Sequence, residues 1–306
     1  MSVQTSLESE TQADPPGKRE KAGSGLKQLL YALRQDPRWW CGLILLLFIL
    51  IAIFAPILSP YSPIIYNPTH TAQGPSGAHL LGTDELGRDQ LSRIFYGTRI
   101  SLSVAAITIL LGGVCGTILG VLAAYNRGWV DQVITMLVDA LLAFPSLVLA
   151  LALVTALGPS LINLVIALAV VRIPIYARIA RGQTLQIAAQ DYVTAARVSG
   201  TRTWKILARH IIPNIFSPLL VQATLSISFA ILDESVLSFL GLGVQPPTPE
   251  WGAMVSEAQP FLRTDPWMML GPALTIVIVL ISLNLFGDAI RDHLDPRTST
   301  RRLERL

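Results

Sequence analysis

Six stretches of this sequence are long enough and apolar enough to cross a lipid bilayer, which excludes any fold built around one water-soluble core. A spanning helix needs about 20 predominantly apolar residues. Residues 39–58, 100–124, 133–157, 161–180, 214–240 and 268–287 each meet that requirement. Of the 306 residues, 52% are hydrophobic and 14% charged, whereas a soluble domain carries roughly 25% charged residues. The charges crowd into the first 38 residues, the stretch 178–209 and the tail from 288. The expectation is an all-α integral membrane protein with six transmembrane helices. The first block is read as an uncleaved anchor. A charged arm precedes it, its apolar run exceeds a signal peptide's, and Phe54-Ala55-Pro56 offers no small-residue cleavage site.

Basic residues set the orientation, because cytoplasmic loops are enriched in Lys and Arg. With the N-terminus inside, the arm holds 6 of them, the loop after the second span 1 (Arg127), the 178–209 segment 6 and the tail 5. The outer loops hold 4 (Arg88, Arg93, Arg99 and Arg263), and Arg172 lies within the fourth span. Both termini are therefore expected in the cytoplasm. The chain divides into a cytoplasmic arm (1–38), a first span (39–58), an extracytoplasmic loop (59–99), a core of five spans (100–287) that contains the cytoplasmic segment 190–213, and a cytoplasmic tail (288–306). Residues 1–25 are polar, lack periodicity and carry Pro-Pro and Gly-Ser-Gly, a composition expected to stay disordered. The placement of the modest net charge of +3 points to headgroups and orientation, and not to nucleic acid.

Few residues suggest chemistry. Cys41 and Cys115 lie in or beside apolar blocks, with no CxxC and no metal-ligand spacing. They are expected to be small buried hydrophobes. The four histidines are dispersed, and no metal site is expected. No G-x-x-x-x-G-K-[ST] loop is present, so a phosphate cradle of that type is excluded.

The informative polar stretch is Gln190–Asn214, QDYVTAARVSGTRTWKILARHIIPN. Asp191 suits an N-cap, and Tyr192–Ser199 contains no helix breaker. Gly200 suits the position just past a helix C-terminus. Thr203 suits the cap of a second short helix, Trp204–Ile212, which Pro213 is expected to interrupt. Ala195 and Ala196 give the first helix a small-residue face that another backbone can approach closely.

That string resembles the EAA motif of ABC importer permeases through Ala195, Ala196, Gly200 and Ile211-Ile212-Pro213, with Thr194 standing where the motif has an acidic residue. HLLGTDELGRDQLSRIFYGTRISL (79–102), AFPSLVLAL (143–151), ESVLSFLGLGVQPPTPEWGAM (234–254) and LFGDAIRDHLDPR (285–297) are similar to the C-type permease of dipeptide, oligopeptide and nickel ABC importers. Leu137 departs from that pattern, which has a basic residue shortly before Asp139. The resemblance implies a type I importer permease bundle in a prokaryotic cell membrane. It also implies a homologous second permease, two cytoplasmic ATPase subunits that bind ATP and magnesium, and an extracytoplasmic binding protein. This chain would then hold no cofactor, catalyse nothing itself, and meet its motor through Asp191, Tyr192, Ala195, Ala196, Gly200 and Pro213. Peptides are the substrate implied; nickel chelates, opines and oligosaccharides are alternatives.

Ionisable residues at membrane depth are costly and are functional candidates by default. Asp139, Arg172 and Glu234 are the candidates for the translocation path. A structural pairing of Asp139 or Arg172, or a role for Glu234 in locking the SFLGLG turn that follows it, is the alternative. Pro145 and Pro174 are expected to kink their spans, and Trp251, in the outer loop 241–267, to sit at the membrane interface. Two other functions compete with the importer reading. A secondary transporter would show an inverted repeat or paired unwound half-helices, and neither is present in the sequence. An intramembrane enzyme would need a nucleophile–base pair or metal ligands at membrane depth, and no His or Cys is so placed.

Overall fold

The computed structural model describes residues 36–294; the expectations for residues 1–35 and 295–306, including disorder over 1–25, lie outside the described residues. Residues 38–294 belong to one unit, and the regular elements among the described residues are helices, with an isolated bridge between Thr83 and Asp89. Its helices are α1 (Trp39–Leu58), α2 (Gln90–Asn126), α3 (Gly128–Leu142), α4 (Ser146–Leu157), α5 (Leu161–Ala188), α6 (Asp191–Val198), α7 (Thr203–Phe239), α8 (Trp251–Ala258) and α9 (Trp267–Leu294). Five of these, α1, α2, α5, α7 and α9, are long and apolar enough to cross a membrane singly. The helices α3 and α4, bent by 93° at a short break, make a sixth candidate span when the pair is taken as one crossing.

The bend falls where the sequence runs Ala143-Phe144-Pro145. A proline N has no hydrogen to donate and forces the preceding residue away from helical dihedrals. The third span is consequently broken and not merely kinked. α5, by contrast, continues through Pro174. At 37 residues each, α2 and α7 extend for ~55 Å, which exceeds a ~30 Å hydrocarbon core. α2 starts ten residues before the span expected from 100, because the Asp89 side chain accepts from the Ser92 amide at 2.8 Å and caps it. Likewise α9 runs on through 288–294, the first part of the stretch read as a tail.

α2 and α5 form the spine of the bundle. Gly112, Gly116 and Gly120 recur every four residues along α2. A Cβ at these three positions would lie 2.8, 2.5 and 2.3 Å from the carbonyl oxygens of Ala169, Ile173 and Ala177 on α5. Small residues at this spacing let two helix backbones touch, which is how helices gain packing energy in lipid, where no hydrophobic force separates helix from tail. Around the spine lie three apolar clusters. One joins Val104, Val154, Leu164, Leu168 and Leu237 on the α4 side. A second gathers Leu45, Ile109, Tyr176, Ile231, Trp251 and Val279 from α1, α2, α5, α7, α8 and α9. The third, at the end of the bundle that carries the 190–213 segment, packs Val121, Ala180, Val193, Ile206, Ile211 and Ile215. Much of the remaining apolar surface faces outward, with Ile57 79% and Leu110 63% exposed, as a lipid-facing bundle requires.

At the opposite end of the bundle, the loop before α2 folds around Asp84. Its carboxylate accepts from the Leu86 and Arg88 amides and from Arg88 Nε at 2.6 Å. Arg88 and Arg93 both donate to Glu257 Oε2 on α8, at 3.1 and 2.8 Å. The carboxylates of Asp84, Glu85 and Glu257 converge there, but the two guanidiniums lie among them and compensate their charge. This lattice ties the outer loop to α8. Trp251 was expected at the membrane interface; it is instead fully buried, packed edge-on against Phe48 and donating Nε1 to the Ile94 carbonyl. α8 folds back into the bundle and carries the indole inward. The cysteines also differ from expectation: Cys115 is exposed on the surface of the chain and Cys41 is half-buried.

Candidate functional site

The inner segment is built by one anchor and one corner. In α6 only Val193 is buried, seated in the inner cluster against Ile206, Ile211 and Ile215. Thr194, Ala195 and Val198 are exposed, Val198 at 84%, and Tyr192 is partly so. Gln190 and not Asp191 takes the N-cap position, which moves Asp191 into the first turn, where its charge still complements the helix dipole. The C-terminus closes as the sequence suggests. Gly200, at φ +74°, lets its amide reach the Arg197 carbonyl while the Thr201 amide reaches that of Ala196, each at 3.1 Å. This is the paired arrangement that ends a helix on a left-handed residue. A Cβ at Gly200 would meet nothing within 4 Å, so the backbone, and not crowding, requires glycine.

The segment after the corner departs from expectation. Arg202 and not Thr203 precedes the helix, and α7 runs unbroken past Pro213 to Phe239. A π turn over Leu207–Ile211 explains this. The turn widens the ladder just before the proline, so Pro213 falls in the first turn of the helix that resumes, where an amide donor is dispensable. The Asn214 side chain donates to the His210 carbonyl at 2.6 Å. Side contacts brace the segment: Arg197 lies over the Tyr125 ring at 5.6 Å, and Tyr192 packs against His210 at 5.8 Å. Of the six sequence candidates, Asp191, Tyr192, Ala195, Ala196 and Gly200 thus occupy one short exposed helix and its corner. Pro213 lies within the long helix beyond them.

The intramembrane candidates separate. Asp139 and Arg172 do not pair with each other. Arg172, buried on α5, donates to Asp233 on α7 and stacks over Phe229 at 6.0 Å. Asp139 accepts from Arg178 at 2.7 Å, a pair that is largely exposed on the chain. One helical turn on, Arg181 grips Asp131 with two hydrogen bonds of 2.6 and 2.7 Å. These two pairs cross-link α3 to α5 beside a cavity of about 230 Å³ lined by Gly120, Val138, Ala177 and Gly182. Glu234 does not face an open path. It is wholly buried, and Ser101 Oγ lies 3.2 Å from its Oε1 and 3.4 Å from Oε1 of Glu250. Glu250 in turn accepts from the Gly252 and Ala253 amides at 2.7 and 2.9 Å and caps α8. Burial pushes the Glu250 carboxyl above its usual range, against the opposing pull of those amides. Sequence reading overlooked Asp131, Arg178, Arg181 and Glu250. The alternation of carboxylates on α3 with arginines near the end of α5 was the one available signal, and Glu is an unfavoured cap that propensity does not flag.

The sequence matches the family of binding-protein-dependent transport system inner membrane components over residues 116–300, and the N-terminal TM domain of oligopeptide transport permease C over residues 26–75. It is 42% identical, over 94% of its length and 95% of the relative's, to the dipeptide transport system permease protein of Alkalihalophilus pseudofirmus. To the di/tripeptide transport system permease protein of Pseudomonas aeruginosa it is 44% identical, over 83% of this chain and 86% of that one. A glutathione transport system permease protein of Pectobacterium atrosepticum is likewise 44% identical, over 87% and 88%. Among solved structures, a chain of the MetNI methionine ABC transporter in an inward-facing conformation superposes with a TM-score of 0.56 at 17% identity. That match covers 67% of this chain and 97% of the other, and it shows a shared fold.

Proposed function

The chain belongs to the family of binding-protein-dependent transport system inner membrane components, and on that premise we propose that it forms half of the translocation pathway of a peptide-importing ABC transporter in a prokaryotic cell membrane. The 40–44% identity to permeases named for dipeptides, di/tripeptides and glutathione supports a small-peptide substrate. A homologous second permease supplies the other half of the path, an extracytoplasmic binding protein delivers the peptide, and two cytoplasmic subunits bind ATP and magnesium. Catalysis belongs to those ATPases; this chain converts their closure into movement.

One observation carries the coupling: α6 projects an exposed face while its underside is fixed by Val193 to the root of α7. A side chain held in a cleft of the ATPase would move α6 and that root together. Because α7 is continuous to Phe239, displacement at the inner end travels along one rod to the Asp233–Arg172 pair and the outer end. α7 spans ~55 Å against a ~30 Å hydrocarbon core, so about 25 Å of it stands clear of the lipid as a lever. Thr194 leaves the docking face one negative charge short of the motif, and the contact then rests on shape and on Tyr192, Ala195 and Val198. Affinity purification of the full chain from cells expressing its gene neighbours tests the proposal. P-loop ATPases should co-purify, and the reconstituted complex should take up dipeptides only with ATP. Uptake by the chain without any ATPase would overturn it.

A further inference from the structure

We infer that the cavity between α3 and α5 binds a small zwitterion, a short peptide with free ends. Asp139 takes its ammonium group and Arg178 its carboxylate. This deepens the peptide-importer reading above and rests on it. The cavity measures about 230 Å³ and continues into a more open depression over Asp131, Gln132 and Met136. Pockets for drug-sized ligands run to about 300–1,000 Å³, so this one admits a small ligand. Its wall includes Gly120, Ala123, Ile134, Val138, Ala177 and Gly182. That lining is apolar and leaves room, since a Cβ at Gly182 would meet nothing within 4 Å.

The two ion pairs beside the cavity differ in how firmly they are held. Arg181 grips Asp131 with two hydrogen bonds, and Thr135 donates to the same carboxylate at 3.2 Å. Arg178 holds Asp139 by one bond, and the two side chains are 62% and 52% exposed. An exposed pair of that kind adds little stability, so each partner exchanges the other for a ligand's charge at small cost. Depth adds a second argument. At ~1.5 Å per residue, Asp139 stands ~16 Å along α3 from Gly128, and Arg178 ~15 Å along α5 from Ala188. Its neighbours Met136 and Leu137 on α3 are exposed and apolar. Charged side chains within a span do not face hydrocarbon; they face protein or a water-filled path. The charges of the two pairs cancel, so the site favours neither a simple anion nor a simple cation. It matches a ligand that carries one charge of each sign.

The test uses the complete importer, co-purified and reconstituted, with a dipeptide carrying a diazirine side chain as the probe. On illumination of the wild type, which needs no variant to fold, the label should fall on α3 or α5 around the cavity. Excess unlabelled dipeptide should suppress it, whereas the N-acetylated, C-amidated dipeptide should not. Asp139→Asn and Arg178→Gln should each weaken labelling by about tenfold, the worth of one hydrogen bond to a charged group. Gly182→Leu adds bulk to the open space and should abolish both the label and dipeptide uptake, while the variant still co-purifies with its ATPases. Uptake by the wild type with no label at the cavity, or normal uptake by Gly182→Leu, would overturn the inference and leave the importer reading standing. A label displaced by phosphatidylethanolamine and not by dipeptide would assign the site to lipid and overturn it as well. No dipeptide uptake by the wild type would sink both.

Discussion

Gly116 on α2 and Ile173 on α5 meet so closely that a Cβ on the first would sit 2.5 Å from the carbonyl oxygen of the second. Backbone cannot move aside there without parting the two helices that every other span leans on. Gly116→Ala should destabilise the fold by about 1–3 kcal/mol through overpacking. Gly113→Ala, whose Cβ would meet the Tyr176 ring at 3.4 Å, should be neutral or gain up to ~1 kcal/mol of helix propensity. Thermal unfolding in detergent separates the two.

Arg172 and Asp233 offer a second handle on the bundle. Removing one partner strands the other charge at membrane depth, a loss on the order of 3–5 kcal/mol, whereas replacing both by apolar residues is often close to neutral. Arg172→Leu should unfold or lower expression sharply, and Arg172→Leu with Asp233→Leu should recover most of the stability. A double-mutant cycle measures the coupling, and additive losses would mean that the pair is not formed.

Glu257 holds two guanidiniums on the outer face, Arg93 at 2.8 Å and Arg88 at 3.1 Å. Glu257→Gln leaves both nearly buried cations with Asp84 as the main acceptor, at a cost of ~3 kcal/mol by the same reasoning. The visible consequence should be faster hydrogen exchange in the loop from Thr83 to Asp89, with the inner segment unchanged.

Trp251 packs with no exposed surface against Phe48 and beside Gly97. Trp251→Ala should cost about 3–5 kcal/mol by opening a cavity. Trp251→Phe should retain most of that stability, since the Nε1 bond to Ile94 is long at 3.4 Å. Unfolding midpoints of the two variants check the order.

The history of these residues shows what a linear sequence carries. Apolar length marked the spans because lipid imposes it on each helix separately, whatever its neighbours. Gly200 was legible for a similar reason: its left-handed turn is a local property. Pro145 was expected to kink a span and Pro213 to interrupt a helix, yet the first sits at a full break and the second rides through, since the preceding π turn decides where Pro213 falls in the ladder. Arg172 and Asp139 were plausible partners along the chain. Which carboxylate each arginine faces depends on helix rotation and register, and these are set by the Gly112–Gly116–Gly120 contact with α5. Trp251 was misplaced because nothing local announces that α8 turns back into the bundle. Its cap is Glu250, whose value lies in burial beside Glu234.

In the proposed complex the motor attaches at α6 and its corner, and ATP-driven dipeptide uptake by reconstituted Gly200→Val tests that most directly. Val is a poor occupant of φ +74°, a strain of about 1–3 kcal/mol, although the space beside it is open. The bundle should therefore still fold while α6 loses its angle. The expected result is loss of uptake, with the ATPases detached or hydrolysing ATP without transport, while Gly200→Asn, tolerant of the left-handed region, retains activity. Normal uptake by Gly200→Val would contradict the account.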